Sequence, residues 1–290
     1  MKFAFLILYF VSFLPHCLLR AAAAVLGRLC YWLVWPRRRV GAVNLRLCFP
    51  QWTQRQRRQV LKKHFYHMAL LVLEYGVCWY ARPQRLRALV SYRDKHYLDD
   101  ILAAGGRVIL LYPHFTAFEL AVYALNQDVA LTSVYSHQKN AQLDARILQG
   151  RQRFNNVFLV GRTEGLRAVI RQIRANPAPF LYLPDQDFGA KDSVFVPFFG
   201  VQTATVDALP RIAKLTGAQV VPLVPRRLAD GRVELRFYPP WSDAAADTPE
   251  AGARRMNAFI EERVREMPEQ YFWLHKRFKT RPQGEKGVYG

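Results

Sequence analysis

The first quarter of the sequence lacks negative charge: neither Asp nor Glu occurs from Met1 to Leu73. The whole chain of 290 residues carries 42 Lys and Arg against 22 Asp and Glu, a formal net charge of +20. Twelve of these cations fall in the acid-free stretch. So basic a segment is expected to face an anionic partner, either a nucleic acid or an acidic membrane surface.

Cysteine is scarce, and the motifs of several large enzyme classes are missing. Cys17, Cys30, Cys48 and Cys78 show no C-x-x-C spacing, which argues against the common zinc and redox patterns. They indicate reduced thiols in a reducing compartment. The sequence also has no G-x-S-x-G, no G-x-x-x-x-G-K-[ST] and no G-x-G-x-x-G motif, so serine-hydrolase, P-loop and dinucleotide-binding chemistry all lack support.

Two long apolar runs lie at the amino end, in residues 3–14 and 21–35. The first is shorter than the roughly 20 residues that cross a bilayer core, so it either just spans or lies within one leaflet. A cleaved signal peptide and a buried hairpin are the alternatives. Because the apolar run continues to Trp35 and ends in three arginines, a retained anchor with a cytoplasmic stop is favoured over both.

Residues 51–80 predict a basic amphipathic helix beside that anchor. His64 and His67 lie at i, i+3 in it, the spacing of half a metal site, but no third ligand is close in sequence. The expected organisation is a membrane anchor over 1–36, a basic membrane-proximal helical region over 37–100 and a catalytic domain over 101–290.

From Arg107 onward, apolar runs of strand length alternate with helix-period stretches. The fold class predicted is α/β, with a single mixed, mostly parallel sheet flanked by helices and an N-terminal membrane-anchoring helical segment. The predicted strands are 108–112, 129–135, 157–160, 180–183 and 220–224, with a late and possibly antiparallel one at 232–239. The predicted helices are 141–154, 164–176, 204–217 and 250–274.

His114 and Glu119 lie where the first of these strands gives way to a helix, a corner where α/β enzymes often place their chemistry. In one interpretation Thr116 caps the helix and Glu119 completes a capping box, which leaves His114 a turn residue. In the other, His114 is a general base, and Glu119 accepts the proton of its second ring nitrogen. We favour the second, because polar clusters end two further strands.

Those clusters are Arg162, after the third strand, and Asp185, Gln186 and Asp187, after the fourth. As a planar fork donor, Arg162 suits phosphate or carboxylate, although an ordinary salt bridge would also explain it. The two aspartates could orient Arg162, cap a turn or bind magnesium. The magnesium alternative lacks a phosphate loop and a third carboxylate.

Six short motifs follow one another along the chain: NLRLCFP at 44–50, H-x-x-x-x-E at 114–119, GR at 161–162, DQD-x-G at 185–189, VPFFG at 196–200 and WLHKRFKTRP at 273–282. In this order they resemble the late acyltransferases of lipid A biosynthesis, a family of the lysophospholipid acyltransferase superfamily, and most closely the lauroyl transferases. Glycerolipid acyltransferases usually carry Asp where this chain has Glu119. They also carry an E-G-T-R type element in place of its PDQDFG.

The resemblance implies transfer of a fatty acyl chain, lauroyl being expected, from an acyl-carrier-protein thioester to a hydroxyl on a Kdo-bearing, tetraacylated lipid A precursor. It implies no cofactor and no metal, membrane lipids as further partners, and a catalytic domain on the cytoplasmic face of the inner membrane. His114 would be the base and Glu119 its partner. The expected acceptor-binding residues are Arg162, Asp185, Gln186, Asp187, His275 and Arg277.

Three alternatives stay open at this stage. A nucleic-acid-binding protein is disfavoured, because the cations neighbour apolar helices and no binding module is recognisable. Another lipid O-acyltransferase of the superfamily, acting on glycerophospholipids, is the second. A non-catalytic lipid-binding protein on the same fold is the third, and only an assay separates it from an enzyme.

Overall fold

The computed structural model of the chain describes residues 2–289. Over this range the helices fall into an amino-terminal group of five, which precedes the first strand in the sequence, and a later group that alternates with strands. The α-helices are Lys2–Val11 (α1), His16–Leu33 (α2), Trp35–Cys48 (α3), Gln54–Tyr80 (α4), Pro83–Leu89 (α5), His96–Ala103 (α6), Phe118–Leu125 (α7), Ala141–Arg151 (α8), Gly165–Ala175 (α9), Leu209–Thr216 (α10) and Pro249–Glu266 (α11).

The strands form one seven-stranded sheet, in the order β1-β9-β8-β2-β5-β3-β4, and a separate β6–β7 hairpin. Within the large sheet the β8–β9 pair is antiparallel, and the other neighbours are parallel. The predicted α/β class with a mixed, mostly parallel sheet is thereby confirmed. The strands are Val90–Arg93 (β1), Val108–Leu111 (β2), Leu131–Tyr135 (β3), Val157–Gly161 (β4), Phe180–Tyr182 (β5), Ser193–Phe198 (β6), Val201–Val206 (β7), Gln219–Arg227 (β8) and Val233–Phe237 (β9).

The central strand β2 is buried along its whole length. Val108 and Leu110 belong to the apolar cluster that includes α4 and α7, whereas Ile109 and Leu111 belong to the cluster that includes α9, α10 and α11. Since successive side chains of a strand point to opposite faces, the continuous apolar run in β2 is what a sheet covered by helices on both sides requires.

Two helix predictions were wrong at one end. The stretch 204–217 begins as a strand, β7, and only its later part is helical. Thr203, Thr205 and Val206 are β-branched residues that suit a strand better than a helix turn. The helix predicted over 250–274 stops at Glu266, directly before the residue that precedes Pro268, where the α conformation is disfavoured.

The amino-terminal apolar runs form α1 of 10 residues and α2 of 18 residues, separated at Pro15. No single helix among residues 2–289 has both the length and the hydropathy of a membrane span. Only α2 and α3 taken together reach them, and that pair is bent by 90°. Pro15 has no backbone N–H with which to continue α1, so the two apolar runs form separate helices.

A buried ion pair fastens α4 to the sheet. Both terminal nitrogens of Arg227 in β8 lie 2.7 Å from the Glu74 carboxylate, and His16 at the start of α2 lies 3.2 Å from the same group. Burial opposes ionisation of Glu74, but Arg227 and His16 together lower the pKa of that carboxyl below its ordinary value. The first acidic residue of the sequence is therefore structural.

Candidate active site

The candidate site forms where the neighbouring parallel strands β2 and β5 end. Leu111 of β2 pairs with Tyr182 of β5. His114 follows the first of these residues by three positions, and Asp185 follows the second by three positions. Because two parallel strands in register end at the same edge of a sheet, the two side chains emerge side by side.

A short hydrogen bond joins these side chains. His114 Nδ1 lies 2.6 Å from Asp185 Oδ1, and the His114 backbone N–H donates to Asp185 Oδ2 at 2.9 Å. The carboxylate accepts both bonds, so Nδ1 carries the ring proton and Nε2 presents its lone pair. The His114 side chain is 16% exposed and that of Asp185 only 2%, so the ring reaches solvent while its partner does not.

The charge state of Asp185 follows from this pairing. Burial opposes ionisation of Asp185, but the electrostatic interaction with His114 and the two hydrogen bonds from that residue prevail, and the pKa of Asp185 lies below its ordinary value. A carboxylate held ionised beside the ring favours the imidazolium that forms when His114 takes up a proton.

The loop that carries His114 is fixed by the segment after α11. The Phe272 backbone N–H donates to the His114 carbonyl at 2.9 Å, and the Thr116 N–H donates to the Gln270 carbonyl at 2.8 Å. Phe115 forms an isolated antiparallel bridge with Tyr271. The extended backbone that follows α11 therefore supports the loop that holds the histidine.

Glu119 does not contact His114 as predicted. Its carboxylate lies 3.6 Å from a terminal nitrogen of Arg151 at the end of α8, and it shares a hydrogen bond with the Tyr75 hydroxyl of α4. Asp185 occupies the position beside the ring that the sequence analysis gave to Glu119. Glu119 lies on the side of α7 that meets Tyr75 of α4 and Arg151 of α8, whereas the end of β5 lies directly beside the end of β2.

The capping-box alternative is also wrong. The N-cap residue of α7 is Ala117, and no side chain caps that end of the helix. Thr116 is fully buried, and its hydroxyl has no hydrogen-bond partner among the described residues. Neither of the two interpretations of the H-x-x-x-x-E spacing therefore describes the contacts of Glu119.

A narrow, mostly apolar cavity of about 50 Å³ lies beside this corner, between α7 and the sheet. Phe118, whose ring centroid is 5.5 Å from that of His114, forms one wall. Val122 and Asn126 continue that wall along the same face of α7, so the lined face extends for roughly 12 Å at 1.5 Å per residue. Glu119 and Arg151 are its charged lining residues.

Arg162 lies at the carboxyl end of β4 and is exposed, with its guanidinium carbon 4.5 Å from the centroid of the Phe188 ring. The expected pairing of Arg162 with the two aspartates is not formed. Asp185 binds His114, and Asp187 accepts hydrogen bonds from the Thr280 backbone and hydroxyl and from the Gly189 backbone. Arg162 thus stands at the rim with its charge available to a ligand.

The carboxy-terminal motif around His275 is largely structural. His275 Nε2 accepts a hydrogen bond from the Asp187 backbone N–H at 2.8 Å, and burial lowers the pKa of His275 to about 4, so the ring is neutral. Arg277 is only 3% exposed and donates to the Ala204 carbonyl and the Thr205 hydroxyl of β7. This burial is at odds with the predicted role of Arg277 in binding substrate.

The remaining predicted residues are placed as follows. Gln186 is half-buried between the two aspartates, and its acceptor-binding role stays a prediction. His64 and His67 are buried, and no group of three or more His, Cys, Asp or Glu able to hold a metal occurs among residues 2–289. Sequence reasoning missed Tyr75 and Arg151, which reach the site from distant segments without a local motif. It also missed Phe188, the variable position of the DQD-x-G motif.

Comparison with known proteins identifies the family. The family model of the bacterial lipid A biosynthesis acyltransferases matches residues 2–280. The lipid A biosynthesis lauroyltransferase of Escherichia coli (strain K12) is 32% identical over 285 residues, covering 98% of this chain and 92% of that protein. The myristoyltransferase of the same organism is 31% identical over 270 residues, covering 92% and 82%. Its palmitoleoyltransferase is 29% identical over 280 residues, covering 95% and 90%.

These relatives are named for three different acyl chains, so similarity by itself does not set the chain that is transferred. What they share is the reaction class and the pathway, which the ordered motifs of the sequence predicted. The chain belongs to the bacterial lipid A biosynthesis acyltransferases and is an acyltransferase enzyme.

Proposed function

We propose that this enzyme takes a fatty acyl chain from an acyl-carrier-protein thioester and transfers it to the hydroxyl of a 3-hydroxyacyl chain on the Kdo-bearing, tetraacylated lipid A precursor. The observation that carries the proposal is the His114–Asp185 pair, a solvent-reaching base held by a buried carboxylate at the end of the sheet. Lauroyl is the proposed donor chain, supported by the similarity to a lauroyltransferase.

The chemical step is a direct acyl transfer. His114 Nε2 removes the proton of the acceptor hydroxyl as its oxygen attacks the thioester carbonyl, and the tetrahedral intermediate collapses with release of the carrier thiolate. The imidazolium then returns its proton to that sulfur. Positioned general-base catalysis of this kind typically contributes about 10²–10⁴-fold.

Asp185 supports this step without touching the substrate. It holds the proton on Nδ1, which keeps the lone pair of Nε2 on the reacting side, and its charge stabilises the imidazolium. The oxyanion would be stabilised by backbone N–H groups at the start of α7, because the first N–H groups of a helix have no intrahelical acceptor. No cofactor or metal is needed for any of these steps.

The acyl chain would enter the cavity along α7. The cavity begins at Phe118 beside the histidine ring, and its lining is largely apolar, as a hydrocarbon chain requires. Its volume of about 50 Å³ holds only part of such a chain, so the proposal includes separation of the walls when the donor binds. Val122 is half-buried on that wall, where it would contact the entering acyl chain.

We propose that exposed basic residues bind the acceptor and that the apolar amino-terminal helices contact the membrane. Arg162, exposed beside Phe188, would hold an anionic group of the precursor, with Gln186 nearby. The net charge of +20 would attract both the anionic acceptor and an acidic carrier protein. The exposed apolar residues of α1 and α2 support attachment to the inner membrane, with the catalytic domain on its cytoplasmic face.

The test is mass spectrometry of the tetraacylated precursor after incubation with the purified enzyme and carrier-protein thioesters of several chain lengths. Wild type should add the mass of one acyl chain. His114→Ala should abolish the gain, while His96→Ala, which changes an exposed histidine elsewhere, should retain it. A full mass gain in folded His114→Ala would contradict the proposed mechanism.

A further inference from the structure

Most of the exposed large apolar side chains of the described chain are concentrated at its amino end. Fifteen of the twenty that reach solvent lie between Phe3 and Trp35, on α1, α2 and the start of α3. Trp32 is 59% exposed and Trp35 is 51% exposed, at the end of this strip. Paired exposed tryptophans at the end of an apolar surface are typical of the boundary between hydrocarbon and headgroups.

An open groove of about 940 Å³ begins at the same two tryptophans. It lies where α2 and α3 meet at 90° and where α4 begins. Arginines from both α3 and α4 line it, so the groove combines the aromatic end of the apolar strip with a cluster of positive charge. The residues that define this basic groove are Trp32, Trp35, Arg38, Arg46, Arg57 and Arg58.

Aromatic rings hold some of these cations in place. The Arg38 guanidinium carbon lies 5.1 Å from the Tyr31 ring centroid and 5.4 Å from that of Trp32, and the Arg58 guanidinium carbon lies 5.9 Å from the Trp32 centroid. Arg38 also donates to the Tyr31 carbonyl across the bend at 3.3 Å. Stacking on rings fixes a guanidinium without neutralising it.

No carboxylate of the same segment is available to neutralise the groove. The sequence has no acid before Glu74, and Arg227 already binds that one. A cluster of arginines from an acid-free segment attracts phosphate, which arginine binds through parallel N–H donors. The adjacent exposed tryptophans and apolar helices favour a phosphate carried by a membrane lipid over one carried by a soluble acidic protein.

We propose that the basic groove binds the phosphate headgroup of an anionic bilayer lipid, which is not the acyl acceptor, while the apolar strip lies among the acyl chains of the same leaflet. Arg38 and Arg58, which both lie beside the Trp32 ring, contact the phosphate. The groove thereby sets the orientation of the molecule on the membrane. This inference is independent of the proposed chemistry, because it concerns lipid binding in the absence of any donor.

The experiment is co-sedimentation of the full-length protein with vesicles of phosphatidylcholine alone, or of phosphatidylcholine mixed with phosphatidylglycerol. The double variant Arg38→Gln/Arg58→Gln is compared with Arg167→Gln/Arg171→Gln, which removes two exposed cations of α9 outside the groove. We expect the groove variant to lose about tenfold or more in affinity for the anionic vesicles. The α9 control should lose less than about twofold, and both should bind neutral vesicles like wild type.

Four outcomes would overturn the inference. Equal losses in the two double variants would show a general effect of charge, and no loss in the groove variant would show that the groove is not used. Adding the lipid A precursor to neutral vesicles gives the third: a gain in binding that requires Arg38 and Arg58 would assign the groove to the acceptor. The fourth is retained vesicle binding with lost capture of an acidic carrier protein, which would assign the groove to that protein.

Discussion

At the scale of single residues, Val122 is positioned to control which acyl chain is accepted. It lines the cavity one helical turn beyond Phe118, on the wall that begins at the histidine. A larger side chain there would shorten the space along α7, and a smaller one would lengthen it. One added or removed methylene in an apolar site is worth roughly 10–200-fold in selectivity.

Val122→Phe should therefore shift donor preference toward shorter chains by about tenfold or more, and Val122→Ala should shift it toward longer ones. The measurement is competition among carrier-protein thioesters of different length, read as the mass of the acylated product. Unchanged preference in both variants, with normal turnover, would place the acyl chain outside this cavity.

The residues of the site could be named from the sequence more readily than their contacts. His114 and Asp185 were both singled out, because each directly follows a predicted strand. Their pairing could not be read, since it depends on β2 and β5 being neighbours although they are not consecutive in the chain. Glu119 was assigned to the histidine by its spacing alone, and its partner Arg151 lies on a different helix.

At the scale of elements, the attachment of α4 to β8 depends on Glu74 and Arg227. Both side chains are almost fully buried, so removing one leaves the other charged and unpaired in the interior. Glu74→Ala should lower the free energy of unfolding by about 3–5 kcal/mol. Arg87→Ala, which breaks the exposed pair with Asp128, should cost less than about 1 kcal/mol.

Chemical unfolding of the two variants in detergent measures this difference. The variant Glu74→Leu/Arg227→Met, which replaces the pair by apolar groups, should recover part of the stability lost in Glu74→Ala. Similar unfolding midpoints for Glu74→Ala and Arg87→Ala would mean that the buried pair does not hold α4 to the sheet.

Elements were predictable where their pattern is local. The strand β2 was predicted correctly from its apolar run. The carboxyl end of α10 was also predicted correctly, at Gly217, which has a φ of 69°. The β6–β7 hairpin was missed, because its strands pair only with each other and residues 196–200 were recognised merely as a family motif. Phe199 and Gly200 have φ of 50° and 77°, so this motif forms the turn of the hairpin.

At the scale of the whole molecule, three histidines buried in neutral form make folding sensitive to acid. Burial lowers the pKa of His64 to about 4, that of His67 to about 3 and that of His275 to about 4. In the unfolded chain they titrate near their usual pKa of about 6.5. Because the folded pKa values are the lower ones, stability is complete above about pH 6.5 and is lost as pH falls toward 4.

Between about pH 7.5 and about pH 5, His64 alone should reduce the free energy of unfolding by on the order of 2 kcal/mol. His64→Asn, which retains a donor near the position that faces the Glu269 carbonyl but cannot ionise, should flatten the pH dependence by a similar amount. Urea unfolding at the two pH values measures it. An equal slope in wild type and variant would show that His64 is charged in the folded state.

The division of the molecule into anchor, basic region and catalytic domain stays a prediction, as does its membrane location. The apolar and basic character of the amino end was plain from composition. The 90° bend between α2 and α3 was not, because both helices pack against α4, which is a later segment of the chain.

In the proposed mechanism His114 is oriented by Asp185 and not by Glu119. The most direct test compares kcat for Asp185→Asn and Glu119→Gln in the purified enzyme, with the precursor and a lauroyl carrier-protein thioester as substrates. We predict a loss of roughly 10²–10⁴-fold in kcat for Asp185→Asn, approaching that of His114→Ala, and a much smaller loss for Glu119→Gln. A severe loss in Glu119→Gln with nearly normal turnover in Asp185→Asn would contradict it.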